Sequence, residues 1–317
     1  MIEATNLVKR YGPHTAVDNA SFTIERGEIV GFLGPNGAGK STTMNILSGY
    51  LSSTEGTVTV DGMNILEHPM EAKKKIGYLP ENPPLYPEMT VREYLRFAGE
   101  IKKVPSEELP SRMERVMQTV GIQDVAGRLI RNLSKGYKQR VGLAQEMIGD
   151  PEILILDEPT AGLDPKQILE IRDLIISLGR DHTVILSSHI LPEVSAVCRR
   201  ILIINDGRIV ADDTPENLAH RLLGGSHVLL RVEGPRERVE EALRAVPAVR
   251  NVEFQEPQEP GTVEAVAEAE KDRDIRRDVF RAMSGAGLPV LMMRALDMSL
   301  EEIFLHLTTK EEEAATT

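Results

Sequence analysis

Residues 34–41 read Gly34-Pro35-Asn36-Gly37-Ala38-Gly39-Lys40-Ser41, directly after the short apolar run 29–33. This stretch matches the phosphate-binding loop pattern G-x-x-x-x-G-K-[ST], which lies between a strand and a helix. Its glycines let backbone N–H groups wind closely around a phosphate chain, and the helix N-terminus that follows adds a positive dipole. We expect Lys40 to contact the β- and γ-phosphates of ATP, the Ser41 hydroxyl to bind Mg²⁺, and Thr42 to complete the nucleotide contact.

An acidic pair follows another strongly apolar run, residues 153–156: Asp157 would end this strand and Glu158 comes next. A carboxylate at the carboxyl end of a parallel strand can complete the Mg²⁺ shell opposite Ser41. A second carboxylate beside it can polarise the water that attacks the γ-phosphate. On its own, an Asp-Glu pair in this place is also typical of a capped turn. The phosphate loop upstream favours the functional interpretation.

Strand-like and helix-like segments alternate over the first two thirds of the chain. The runs 29–33, 153–156 and 183–186 have the length and composition of buried parallel strands. A helix begins between the last two, with Asp164 at its N-cap and a proline directly after it. The segment 90–149 has a mostly helical pattern and belongs to a helical subdomain at about 82–149. This alternation predicts an α/β domain with a parallel sheet.

Further segments occur in an order that identifies a family. Leu133-Ser134-Lys135-Gly136-Tyr137 lies between the phosphate loop and the acidic pair, Ala161-Gly162-Leu163-Asp164 follows the pair, and Ser187-Ser188-His189 follows the run 183–186. Together with Tyr11, they resemble the signature motif, the D-loop, the switch histidine and the adenine-stacking aromatic residue of ATP-binding cassette (ABC) ATPases. The resemblance covers about residues 1–220.

The resemblance implies that two cassettes, which we expect to be identical, pack head to tail around two ATP molecules. Each nucleotide then lies between the phosphate loop of one subunit and the signature helix of the other, where Ser134 and the Gly136 backbone suit the γ-phosphate. It also implies that Glu158 is the general base, that His189 contacts the γ-phosphate and positions the water, and that Asp164 crosses the dimer interface. Taken singly, His189 could be a polar residue at a helix N-terminus and Tyr11 a packed surface aromatic.

Two motifs depart from the family pattern. Glu81 stands in Gly77-Tyr78-Leu79-Pro80-Glu81 where a glutamine is usual, and an ionised carboxylate accepts hydrogen bonds but cannot donate them. Glu81 could contact Mg²⁺ or its water, but it would repel the γ-phosphate. In the signature, Lys135 and Tyr137 replace the usual glycine and glutamine; Lys135 either adds a charge near the nucleotide or is simply exposed to solvent. These variants resemble the ABC-2 export branch, which includes gliding-motility, drug-export and copper-maturation ATPases.

The composition disfavours several classes of protein. The 317 residues are 41% hydrophobic. Their net charge of −12 argues against a nucleic-acid partner and against binding to anionic lipid, because both need an excess of Lys and Arg. Cys198 is the one cysteine; it excludes an intrachain disulfide and a Cys-rich zinc site, and we interpret it as a small buried apolar residue. The sequence shows neither a signal-peptide pattern nor an apolar run of membrane-spanning length. We therefore expect a cytoplasmic chain that associates with the cytoplasmic face of the membrane through a partner.

The charge changes near Gly224-Gly225-Ser226, which we interpret as a linker. Residues 1–225 carry 25 Lys and Arg against 30 Asp and Glu, whereas residues 226–317 carry 12 against 19. The second segment shows the order strand, helix, strand, strand, helix, strand, which is the ferredoxin-like pattern. A last helix capped by Ser299 and Glu302 and a frayed tail complete this α+β appendage. Its fold leaves a ligand-sensing role and a dimer-stabilising or partner-docking role open.

The leading hypothesis is an ATP-hydrolysing subunit that powers a separate ABC-2 type permease in an exporter. The permease should dock near Glu81 and the helical segment 82–120, where the family has its coupling groove. The proline-rich stretch 82–87 suits a semi-rigid docking loop, although it could also be a plain connector. The alternative is a soluble ABC ATPase that acts in translation or DNA repair. A single phosphate loop, the absence of a heptad run and the acidic composition disfavour it.

Overall fold

The computed structural model describes residues 1–215, 217–218, 227–257, 259–269 and 273–296. The chain divides into two compact units, with the division after Pro215. The predicted linker at 224–226, the predicted last helix with Ser299 and Glu302, and the tail lie outside the described residues.

The first unit alternates strands and helices along most of its length. Its strands are β1 (Ile2–Tyr11), β2 (His14–Ile24), β3 (Ile29–Leu33), β4 (Glu55–Val60), β5 (Met63–Asn64), β6 (Ile76–Leu79), β7 (Ile153–Asp157), β8 (Thr183–Ser188), β9 (Arg200–Asn205) and β10 (Arg208–Asp213). Its helices are α1 (Lys40–Leu47), α2 (Pro69–Lys74), α3 (Val91–Ile101), α4 (Leu109–Val120), α5 (Lys135–Met147), α6 (Pro165–Leu178) and α7 (Leu191–Ser195).

The strands of the first unit form two sheets. One is antiparallel, with the order β2-β1-β4-β5. The other has the order β10-β9-β3-β8-β7-β6, in which only the edge pair β10-β9 is antiparallel among the described strands. The predicted α/β domain with a parallel sheet is confirmed, whereas the antiparallel sheet was not predicted.

The parallel sheet explains why polar residues gather in one place. The central strands β7 and β8 are buried at every position, as expected for strands covered on both faces. Because β3, β6, β7 and β8 run in the same direction, the segments that follow them meet at one edge. The phosphate loop, Glu81, the acidic pair and His189 all follow these strands, so the topology brings them together.

The segment 90–149 is mostly helical, as predicted, and holds α3, α4 and α5. Helix α3 begins with a capping box, in which Thr90 Oγ1 accepts from the Glu93 backbone N–H at 3.3 Å and Glu93 Oε2 accepts from the Thr90 N–H at 2.8 Å. Helix α5 begins after Ser134, whose hydroxyl accepts from the Tyr137 N–H at 3.4 Å. The signature segment is therefore the first turn of a helix.

The second unit is a small α+β fold. It contains β11 (His227–Glu233), α8 (Arg236–Arg244), β12 (Val249–Gln255), β13 (Thr262–Ala269), α9 (Arg276–Gly285) and β14 (Val290–Leu296). The sheet is antiparallel, with the order β12-β13-β11-β14. Buried Val228, Leu230 and Val232 alternate along β11 and form its core with residues of both helices. The predicted ferredoxin-like order is confirmed over the described residues.

The structure also bears on the predictions for Cys198 and for membrane-spanning segments. Cys198 is 4% exposed, and burial raises the pKa of its thiol to about 12; it is a buried apolar side chain, as predicted. Of the helices that the structure describes, none has the length and apolar character needed to cross a membrane.

Candidate active site

A cleft of about 570 Å³ opens at the carboxyl edge of the parallel sheet, a size typical of small-molecule sites. Ten of the residues predicted from the sequence line it: Tyr11, Asn36, Gly37, Gly39, Lys40, Ser41, Thr42, Glu81, Glu158 and His189. His14 and Ala16 also line the cleft and were not predicted, and Ala161 of the D-loop segment lines it as well. A cavity of about 620 Å³ between α4, α5 and α6 holds none of the predicted residues.

Two glycines of the phosphate loop are required by close backbone approaches. A Cβ at Gly39, where φ is 103°, would lie 2.3 Å from the carbonyl oxygen of Ala16. A Cβ at Gly34 would lie 2.4 Å from the carbonyl oxygen of Ile204. The loop is therefore seated against β2 and β9, and larger residues at these two positions would displace it. Pro35 and Ala38 belong to the same loop but do not line the cleft.

The ammonium group of Lys40 lies inside the loop, and the residue is 6% exposed. Its Nζ donates to the carbonyl oxygens of Gly34 at 2.8 Å and Pro35 at 3.1 Å. The same nitrogen lies 3.5 Å from Glu158 Oε1. A buried cation of this kind suits an anion such as a phosphate group.

Asp157, at the end of β7, is the centre of a buried hydrogen-bond cluster. Its Oδ1 accepts from the hydroxyl of Ser41 at 3.2 Å and from the hydroxyl of Ser187 at 2.5 Å. Burial raises the pKa of the Tyr78 phenol, and the neighbouring Asp157 carboxylate raises it further. The oxygens of Ser41 and Asp157 therefore face each other between the loop and the strand, and their role as Mg²⁺ ligands stays a prediction.

Glu158 is held in an unusual backbone conformation, with φ at 47°. Its backbone N–H donates to the Ser187 hydroxyl at 2.9 Å, so that Ser187 orients both members of the acidic pair. Glu158 Oε2 lies 2.9 Å from His189 Nδ1. Because an ionised carboxylate only accepts, Nδ1 is the donor in this contact, and Nε2 is left for a second partner. Backbone strain at a cleft residue of this kind is typical of functional sites.

Besides Gly34, Pro35, Ala38 and Asp157, three predicted residues on other elements do not line the cleft: Ser134, Gly136 and Asp164. Ser134 caps α5, and the Asp164 carboxylate caps α6 by accepting from the N–H groups of Lys166 and Gln167 at 3.1 and 3.0 Å. A Cβ at Gly136 would lie 2.8 Å from the side chain of Gln167. The first turns of α5 and α6 therefore lie side by side.

Lys135 and Tyr137, which depart from the family pattern, lie beside different segments of the chain. Lys135 is exposed, and a Cβ at Gly162 would lie 2.6 Å from its Nζ. Its charge therefore lies beside the D-loop of its own chain. Tyr137 donates to Asp124 Oδ2 at 3.1 Å, which raises the pKa of Tyr137.

Within the described part of the chain, no group of three or more His, Cys, Asp and Glu side chains could hold a metal ion, so Glu81 as a metal ligand stays a prediction.

Comparisons with known proteins agree with this geometry. The ABC transporter family model matches residues 17–161. The chain is 35% identical to the linearmycin resistance ATP-binding protein LnrL of Bacillus subtilis (strain 168), over 97% of this chain and 98% of that protein. It is 37% identical to the bacitracin transport ATP-binding protein BcrA of Bacillus licheniformis, over 70% of this chain and 72% of that protein.

Solved structures show the same fold. The dimeric ATP-binding cassette MJ0796, in a post-hydrolysis state with ADP and Pi, matches with a TM-score of 0.62 and 27% identity. The match covers 68% of this chain and 98% of that one. These similarities favour a transporter subunit over the soluble alternative in translation or repair. The chain belongs to the family of ABC transporter ATP-binding proteins and is an ATPase.

Proposed function

We propose that this chain hydrolyses MgATP as a homodimer and drives a separate ABC-2 type permease that exports its substrate. The observation that carries the proposal is the connected row of Lys40, Glu158 and His189 around one cleft. Two relatives are named for resistance to linearmycin and for transport of bacitracin, which supports outward transport. Attachment to the permease would keep the chain at the cytoplasmic face of the membrane.

The surroundings of Ser41 and Asp157 fit Mg²⁺, which prefers oxygen ligands. A serine hydroxyl and a carboxylate oxygen already lie 3.2 Å apart there. When bound with ATP, the ion would neutralise charge on the phosphates. Glu81, which lines the same cleft, is a further candidate for contact with the ion or its water.

The chain's own residues account for the remaining steps. Lys40 exchanges the carbonyl oxygens of Gly34 and Pro35 for phosphate oxygens, which are stronger acceptors because they are charged. Glu158 accepts the proton of the attacking water. His189 holds the Glu158 carboxylate through Nδ1, and its Nε2 is the atom that contacts the γ-phosphate or the water.

The residues outside the cleft support a dimeric site. Ser134 and Gly136 lie at the N-terminus of α5, where unpaired N–H groups and the helix dipole favour an anion. They are separate from the cleft of their own chain, so we assign them to the nucleotide of a second copy. Asp164, at the start of α6 beside them, would reach the same interface.

A groove of about 510 Å³ supports the assignment of a permease partner. Its apolar part is formed by Pro83, Leu85, Pro87 and Ile130, and the basic side chains of Arg131, Lys135 and Lys138 surround it. Glu81 lines both this groove and the nucleotide cleft. A cytoplasmic segment of a permease with acidic and apolar side chains would complement this surface.

The substitution Glu158→Gln tests the catalytic assignment. We expect ATP hydrolysis to fall by roughly two to four orders of magnitude, because the amide cannot take the proton of the water. ATP binding should persist and the dimer should accumulate, which size-exclusion chromatography with and without ATP would measure. Glu152→Gln, at the opposite end of β7, is the matched control and should retain hydrolysis. Unchanged turnover in Glu158→Gln would refute the assigned base.

A further inference from the structure

The side chain of Gln139 joins helix α5 to the segment that contains Glu81. Its Nε2 donates to the backbone carbonyl oxygen of Glu81 at 2.7 Å. Because a carbonyl oxygen only accepts, this contact fixes the orientation of the side-chain amide. The side chain is 2% exposed, so water does not compete for the bond.

The next turn of α5 presses against the same segment. Gly142 follows Gln139 at i+3, on the same face of the helix. A Cβ at Gly142 would lie 2.8 Å from Pro83 Cβ and from Leu79 Cδ1. The contact between α5 and the segment after β6 is therefore both hydrogen-bonded and closely packed.

Packing alone does not account for an amide at this position. Gln139 Oε1 is buried and has no hydrogen-bond partner among the described residues. A buried acceptor without a partner is costly, and an apolar side chain of similar size would avoid the cost. Unlike an apolar side chain, the Gln139 amide can donate the hydrogen bond to the Glu81 carbonyl oxygen. Glu81 in turn lines the nucleotide cleft and the basic groove.

We propose that Gln139 is a positioning residue that fixes Glu81 relative to the first turn of α5. In the dimer, Glu81 faces the ATP of its own chain while Ser134 and Gly136 face the ATP of the second copy. The Gln139 bond would make these two contacts form together, so that binding in one cleft is coupled to closure over the other. This inference rests on the proposed function, since it requires the nucleotide-sandwich dimer.

The test compares Gln139→Leu with Gln118→Leu, an exposed position on α4. ATP affinity is measured by titration with a fluorescent ATP analogue, and kcat and KM are measured by phosphate release. We expect Gln139→Leu to lower kcat about five- to tenfold, the size of one lost buried hydrogen bond. ATP affinity should change less than about twofold, because Lys40 and the phosphate loop are untouched. Gln118→Leu should leave both quantities unchanged.

A second variant, Gln139→Glu, separates positioning from packing. A buried carboxyl group titrates upward; its protonated form can donate to the Glu81 carbonyl, whereas its ionised form cannot. Activity relative to wild type should therefore rise as the pH falls. A role in packing alone predicts a pH profile parallel to that of the wild type.

Each outcome decides between the proposals. An unchanged kcat in Gln139→Leu, an equal loss of affinity and kcat, or a parallel pH profile in Gln139→Glu would overturn the positioning role. A wild-type protein that neither hydrolyses ATP nor dimerises with it would instead refute the proposed function.

Discussion

The two units of the chain both bury charged side chains, but they arrange them differently. In the first unit, Lys40 and Glu158 approach each other across a cleft that a ligand can enter. In the second, buried Glu264 pairs with Arg231 at 2.7 Å, directly across the neighbouring strands β13 and β11. A buried ion pair is tolerated only when its partners compensate the loss of water. The buried charge of the first unit is therefore open to a ligand, whereas neighbouring strands enclose that of the second and give it a structural role.

The largest effect is expected from the core of the second unit. Leu230 is fully buried on β11, so Leu230→Ala should lower the free energy of unfolding of that unit by about 2–5 kcal/mol. ATP affinity should change less than about twofold, because the cleft is lined by residues of the first unit. Chemical denaturation and ATP titration measure the two quantities. A loss of ATP affinity of about tenfold or more would show that the nucleotide site depends on the second unit.

The next largest effect concerns the ion pair of Lys40 and Glu158, which faces the nucleotide cleft. Lys40→Ala should lower ATP affinity by about two orders of magnitude, because it removes charge-assisted bonds to the phosphates. Lys74→Ala, at an exposed position on α2, is the control and should bind ATP as the wild type does. Isothermal titration calorimetry measures the difference. Equal affinities in the two variants would contradict the role of the phosphate loop.

Local sequence patterns were sufficient to predict several elements of both units. The phosphate loop, the capped start of α6 after Asp164 and the alternating Val228, Leu230 and Val232 each lie within one short stretch. Their physical signals are turn chemistry, helix capping and side-chain period, all of which depend on neighbouring residues. The order strand, helix, strand, strand, helix, strand of the second unit was predicted from patterns of the same kind.

Contacts between distant segments could not be predicted in the same way. Ser187 lies beside Asp157 because β7 and β8 pair in parallel with these two residues in register. The sequence places Ser187 before His189 but carries no signal for that register. The bond from Gln139 to Glu81 and the antiparallel β1–β4 pairing also join segments far apart in the chain. Their geometry follows from the packed fold, which a local pattern does not contain.

The smallest effect compares two aromatic side chains of similar exposure, one in each unit. Tyr11 is 48% exposed and Phe280 is 56% exposed, and Lys9 Nζ lies 5.3 Å from the centroid of the Tyr11 ring. Stacking of a base on an aromatic ring contributes about 1–3 kcal/mol. Tyr11→Ala should therefore lower ATP affinity by about tenfold, whereas Tyr11→Phe keeps the ring and should bind nearly as the wild type does. Phe280→Ala should leave ATP affinity unchanged, because Phe280 does not line the cleft. If Tyr11→Ala and Phe280→Ala bound ATP equally well, Tyr11 would be a surface aromatic like Phe280, and the adenine site would have to be sought elsewhere along the cleft.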